Sequence, residues 1–274
     1  MNVLEKFVKG KSENQNICED GLFVSDNFIA VVDGATAKSD RLFGGKRSGK
    51  VAMETILSAL SMLPKEIECI QAFEQITKSL SDFYRQHQIF TEMLENPHQR
   101  PTASVIIYSC FHKQIWSVGD CQAWVDGKEL KTEKFIDFLM SEMRAYYLAS
   151  EIKQGKTEAE LLEEDSGRMF IAPMLTKQCM FQNNEVKSQY SFIVVDGTKI
   201  PEQEIVIYDV SNAKQIVLAS DGYTKLFSSL TATEKELERI LKADPLCYKE
   251  NKGTKAIAKG NLSFDDRSYV RFEI

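Results

Sequence analysis

The sequence predicts an α+β fold of layered antiparallel sheets flanked by helices. Three observations carry this. Strand-like apolar runs stand near both ends of the chain, two long helical patterns follow the first of them, and the middle strands succeed one another through hairpin-length turns. A doubly wound parallel sheet would need regular alternation of strand and helix, which the sequence lacks.

Taken in order, residues 22–24 and 28–32 are short runs rich in strand formers. A polar stretch over 35–45 leads into a helix expected at 46–63, which Pro64 ends while suiting the first turn of the next. In that second helix Ile67, Ile70, Phe73, Ile76, Leu80, Phe83 and Phe90 recur at helical spacing and give it one buried face. Residues 102–110, 114–118 and 121–125 then read as strands. His112 and Lys113 turn the first pair, and Asp126-Gly127 gives a strong hairpin signal. A helix is expected over 132–156. Ala172-Pro173 and residues 182–184 suggest loops within 156–191. Strand character returns at 190–195, 205–210, 215–219 and 269–274, with a helix at 234–243 between the last two.

With 274 residues, no Gly/Ser-rich or Pro-rich linker and no repeat, one domain spanning 1–274 is expected. A composition 43% hydrophobic and 27% charged is that of a globular protein with ample material for a core. The net charge of -6 gives no electrostatic basis for binding nucleic acid or an anionic membrane. The six cysteines are scattered with no C-x-x-C pair, so reduced thiols are expected. The opening MNVLEKFVKGK has no apolar signal core, and no stretch approaches the roughly 20 apolar residues of a membrane span, so the expected location is cytoplasmic.

Carboxylates recur where apolar runs stop. Glu19 and Asp20 precede the first strand, Asp33-Gly34 ends FIAVVDG, Asp221-Gly222 ends QIVLASDG, and Asp265-Asp266 opens the last strand. Such groups are solvated, paired or metal-bound, because a lone buried charge is costly. If the sheets bring them together, a hard cation such as Mg²⁺ or Mn²⁺ would remove their repulsion. Asp-Gly is also the commonest hairpin turn, and Asp126-Gly127 and Asp196-Gly197 read as turns between strands. Asp33 and Asp221 differ in leading away from the sheet into polar or helical segments. By spacing alone, a metal site and simple turns stand level.

The order of the segments NICEDGLFV, IAVVDGAT, PTASVIIYS, QIWSVGDCQAWV, QIVLASDGYTKLF and FDDRSYVRF resembles the PP2C-type (PPM) protein serine/threonine phosphatases over nearly the whole chain. The resemblance implies an antiparallel β-sandwich flanked by helices, in four αββα layers, with two Mn²⁺ or Mg²⁺ ions at one end. It implies that Asp33 bridges both ions, the Gly34 carbonyl binds one, and Asp221 and Asp265 complete the other site. Glu19 and Asp20 would bind metal or hold its waters, and Asp120 matches a ligand of a third, weaker metal in some relatives. Asp120 also reads as a plain turn aspartate between strands. Asp266 stands where relatives often have Asn. Catalysis would run through a metal-activated water near Asp20 and Asp33, with no protein nucleophile. The implied partner is a phosphorylated protein, and the chain is expected to act as a monomer.

The chain departs from that pattern at two places. Ala35-Thr36 follow Asp33-Gly34 where many relatives have His-Gly-Gly, so the family's candidate acid is missing, and His87, His98 and His112 read as surface or packing residues. Gln15 stands where eukaryotic relatives carry a phosphate-holding Arg; Arg41, Lys46 and Arg47 are replacements, or simply a solvated helix start. Residues 132–191 fall where relatives carry a variable flap. Gly44-Gly45-Lys46 lacks the spacing of a nucleotide-binding loop. Two rivals follow: a phosphatase for a small phosphorylated metabolite, and a catalytically silent regulatory module that kept the fold to bind a partner.

Overall fold

In the computed structural model, which describes residues 1–36 and 38–274, the chain opens with strands β1 (Asn2–Lys9), β2 (Asp20–Val24) and β3 (Phe28–Gly34). Helices α1 (Ser48–Leu60), α2 (Cys69–Gln86) and α3 (Phe90–Glu95) follow, then β4 (Ala103–Ser109), β5 (Gln114–Val118), β6 (Gln122–Val125) and β7 (Lys128–Lys131). Next come α4 (Phe135–Lys153), α5 (Glu158–Glu163) and α6 (Ser166–Lys177). The chain closes with β8 (Val206–Asp209), β9 (Gln215–Ala219), α7 (Leu230–Ala243) and β10 (Arg267–Glu273). Ala37, in the polar stretch before the first helix, lies outside the described residues.

The strands form two antiparallel five-stranded sheets, ordered β2-β3-β4-β5-β8 and β1-β10-β9-β6-β7. Ile29 and Val31 of β3 face the other sheet, packing with Ile106, Ile216, Leu218 and Phe272. Phe28, Ala30 and Val32, the alternate positions, face α1 and α2 with Ile56, Phe73 and Ile76. Both faces of β3 are covered, which is why FIAVV reads as an unbroken apolar run rather than an alternation. On the far side Val217, Ala219 and Tyr269 pack against Leu237 of α7. The layers are therefore helix, sheet, sheet, helix, as expected. Each fully buried Ile, Leu, Val or Phe in these seams contributes about 1.5–3 kcal/mol of burial.

Four expectations are corrected. Strand β1 was not anticipated: it pairs with β10 across a register shift between Val3 and Glu5, and the paired Glu5 and Arg271 place charge inside the strand pattern. Residues 190–195 form no strand. The Asn183 side chain takes the place of a neighbouring strand, accepting from Val194 N at 2.9 Å and donating to Val194 O at 3.0 Å. Pro173 lies inside α6 rather than in a loop. The second helix also stops short of Phe90, because Gln88 adopts a φ of 57° between α2 and α3.

The two Asp-Gly pairs read as turns resolve into different structures. Asp126-Gly127 is a tight hairpin between β6 and β7, with φ of 46° and 97° at the two residues. Asp196 joins no strands; it is fully buried, accepts from Arg100 Nη1 at 3.0 Å and is held by Asn183 and Thr198. The six cysteines are free. No helix among the described residues is long and apolar enough to cross a membrane.

Candidate metal centre

Strand pairing brings the predicted carboxylates to one end of both sheets. In the β2–β3 register Asp20 stands opposite Asp33, and Gly34 N donates to Glu19 O at 3.0 Å. Asp33 pairs in turn with Ser104 of β4, whose hydroxyl donates to Asp120. Gly119, at φ 93°, makes the turn that sets Asp120 against Ser104. In the other sheet Gln122 Nε2 donates to Ser220 O at 2.9 Å and to Tyr223 O at 2.6 Å, pinning the turn that carries Asp221. A Cβ on Gly222 would lie 2.0 Å from Asp266 O, so this turn abuts the segment bearing Asp265. Asp266 itself is scaffold: its carboxylate accepts from Lys11 N at 2.7 Å and Glu19 N at 3.0 Å.

Gly34 is held by the same close packing. A Cβ there would lie 2.3 Å from Gly49 O and 2.6 Å from Glu19 O. Gly34→Ala is expected to lower stability by about 1–3 kcal/mol through forced displacement of β3 from α1. A thermal melt checks this, and an unchanged midpoint would show the approach to be loose.

Asp33, Gly34, Asp120, Asp221 and Asp265 line one cleft of about 410 Å³. Glu19 and Asp20 are buried. Burial, reinforced by the charges of Asp265, Asp266 and Asp221, pushes Asp20 up to about 8. Asp33 is driven well above the usual carboxylate range by burial and by Asp20, Asp265 and Asp120. Asp221 moves the same way through enclosure in the cleft and through Asp33 and Asp120. Its side chain still meets cleft solvent, so screening weakens its share of the repulsion. Asp33 raises Asp221 and Asp221 in turn raises Asp20, so the end of the cleft concentrates negative charge that a cation would relieve.

Buried oxygens without partners test whether the donors suit a cation. Glu19 Oε1 and Asp20 Oδ2 are both buried and accept no hydrogen bond. An orphaned carboxylate oxygen is costly, and an all-oxygen donor set is what Mg²⁺ or Mn²⁺ selects. The residues present therefore fit a hard divalent ion. As the side chains stand, no three of the described Asp, Glu, His or Cys converge on a single point. Ammonium groups occupy part of the space instead.

Those lysines are what the sequence reading missed. Lys11 Nζ lies 3.1 Å from Asp265, 3.4 Å from Asp266 and 3.7 Å from Glu19. Lys255 donates to Asp265 Oδ2 at 2.5 Å, and Lys134 lies 2.7 Å from Asp120. Burial opposes charge on Asp265, yet Lys255 and Lys11 outweigh it and hold the carboxyl down at about 2. Asp120 is likewise lowered, Lys134 overcoming burial. His98, set aside on sequence, lines the cleft wall. Arg41 and Lys46 are engaged elsewhere, with Glu92 and with Glu54. No local pattern marks Lys11 or Lys255, since each meets Asp265 only through the tertiary fold.

No family model and no curated protein matches the chain. Among solved structures it is similar to the catalytic domain of the serine/threonine protein phosphatase PstP in complex with two manganese ions, at 12% identity, covering 100% of both chains with a TM-score of 0.49. It is similar to the Staphylococcus aureus serine/threonine phosphatase Stp1 at 15% identity, covering 98% of this chain and 94% of that one, TM-score 0.46. For the Mycobacterium smegmatis PPM Ser-Thr phosphatase MsPP in complex with cacodylate the values are 12%, 99%, 98% and 0.47. Likeness at this level leaves function to be read from the side chains.

Proposed function

We propose that the chain is a metal-dependent phosphomonoester hydrolase acting on phosphoserine or phosphothreonine in proteins. The observation that carries this is the gathering of Asp20, Asp33, Asp120, Asp221 and Asp265 from separate segments at one cleft end, with orphaned oxygens on Glu19 and Asp20. Asp33 and the Gly34 carbonyl would hold one divalent ion and Asp33, Asp221 and Asp265 a second, with Glu19 and Asp20 available to metal or its waters and Asp120 to a third. Bound there, Mn²⁺ or Mg²⁺ would supply Lewis acidity and a water acidified toward neutral pH. The carboxylates' own part is to bind, to orient, and to accept a proton from the attacking water. Asp20, raised to about 8 by burial and its acidic neighbours, would be mostly protonated at neutral pH without metal, and a bound cation would favour the carboxylate form that can do so.

The reading is tested with an aryl phosphate and purified protein in Mn²⁺, in Mg²⁺ and in chelator. Turnover that needs the metal and stops with chelator is expected. Phosphopeptides hydrolysed faster than small phosphorylated metabolites would favour a protein substrate over a metabolite. One observation favours the silent-module alternative: Lys11, Lys134 and Lys255 already neutralise part of the cluster. Absence of both turnover and metal binding by calorimetry would decide for it.

A further inference from the structure

Two cations in the same cleft have no carboxylate of their own. Lys38, in the loop after β3, donates from Nζ to Thr36 O at 3.1 Å, and Arg168, on α6, donates from Nη1 to Thr254 O at 3.0 Å. Neither has a carboxylate within 4.0 Å among the described residues, whereas Lys11, Lys134, Lys255 and Arg144 each do. The nearby acids form no ion pair with either of them. Asp165 is taken by Arg144 at 2.7 Å and by Ala256 N at 3.1 Å, and Asp137 lies 4.0 Å from Lys134. Both Lys38 and Arg168 line the cleft that holds Asp33 and Asp265. Burial, then the charges of Arg168 and Lys255, lowers Lys38 to about 8. Such crowding of positive charge is relieved by an anion.

The chain also needs a phosphate ligand from somewhere. Gln15 is spent on local structure, accepting from Gly10 N at 2.7 Å and donating to Ser12 O at 2.6 Å. Arg41 and Lys46 are paired away from the cleft.

We infer that Lys38 and Arg168 form the anion site that receives the phosphoryl oxygens of the substrate beside the carboxylate cluster. The inference rests on the hydrolase reading for the identity of that anion, and on geometry for the site. Arg supplies a planar fork matched to phosphate and Lys a compact charge. Because Arg168 belongs to α6 and Lys38 to the loop after β3, the site is complete only with α6 seated over the cleft.

The probe is inorganic phosphate, titrated calorimetrically into the full chain in Mn²⁺ and in chelator, for wild type, Lys38→Gln, Arg168→Gln and Arg168→Lys. Each Gln variant is expected to bind phosphate about tenfold more weakly, as loss of one charge-assisted hydrogen bond implies, while Mn²⁺ affinity stays within about twofold. Arg168→Lys should lose less, and KM for an aryl phosphate should rise in step with the loss of phosphate affinity. Phosphate affinity in both Gln variants equal to wild type overturns the inference, as does wild type that binds no phosphate in either condition. If phosphate affinity depends on both side chains but no metal gives turnover, the anion site stands and the hydrolase reading falls.

Discussion

Asp33→Asn is expected to abolish metal-dependent hydrolysis and to raise the thermal midpoint of the metal-free protein. The first effect follows from position. Asp33 sits between Asp20 on β2, Ser104 on β4 and Asp221 across the sheets, so a metal held there loses its central charge. Loss of several kcal/mol of transition-state stabilisation corresponds to a fall in rate of about 10²–10⁴-fold. The second effect follows from repulsion. The fold holds the Asp33 carboxyl well above its usual range, so the folded state keeps a proton that the unfolded chain has released. Stability of the metal-free wild type therefore falls as pH rises above the ordinary carboxylate range, and Asn, which does not ionise, escapes that loss. A gain of about 1 kcal/mol, or about 2–4 °C, is expected, wider at about pH 8 than at about pH 5. Saturating Mn²⁺ should raise the midpoint of wild type and leave that of the variant nearly unmoved. Melts at both pH values, with and without Mn²⁺, check all of this. A variant that melts lower under every condition would make Asp33 a structural residue and remove support for a cation there.

Much of this site was legible because its acids lie next to signals that sequence carries well. Asp33 and Asp221 each end a strand whose two covered faces give an unmistakable apolar run, and Asp265 precedes the last strand of the chain. Asp126-Gly127 was legible for the opposite reason, a hairpin with its own local turn chemistry. Asp196 shows the limit of such reading. Its VVDG is identical to that of Asp33, and only the arrival of Arg100 and Asn183 from distant segments makes it a buried structural anion. Lys11, Lys38, Lys255 and Arg168 were illegible for the same reason. Each is an ordinary polar position in its own segment and acquires a role from what the fold sets beside it. Strand β1 was missed because Leu4 and Val8 are apolar yet exposed, while Glu5 is half-buried against Arg271.

Arg144→Met is expected to be the most destabilising single change outside the sheets. The Arg144 guanidinium is fully buried at the seam between α4, α6 and the segment that leads to Asp265. It donates to Asp165 at 2.7 Å and to the carbonyls of Leu246 at 2.9 Å, Cys247 at 3.1 Å and Gly253 at 3.0 Å. Met fills most of the volume but strands an inward carboxylate and three carbonyls, a change that costs about 3–5 kcal/mol when one partner of a buried pair is removed. That corresponds to a fall in melting midpoint on the order of 10 °C. Lys cannot rescue it, because one ammonium does not reproduce a planar fork that serves four acceptors. The functional consequence separates the two halves of the cleft. Asp165 caps α6 by accepting from Arg168 N at 2.8 Å, so loosening Asp165 loosens Arg168 and, through residues 254–255, Lys255. Asp20, Asp33 and Asp221 ride on or beside the sheet strands, and Arg144's hydrogen bonds among the described residues go to Asp165, Leu246, Cys247 and Gly253 instead. Phosphate affinity should therefore fall while Mn²⁺ affinity holds, and protease should cut first within residues 154–165. Equal losses of phosphate and metal binding would mean that the helices of this segment and the sheets unfold as one unit, and that Arg144 supports the whole fold rather than the anion side of the cleft.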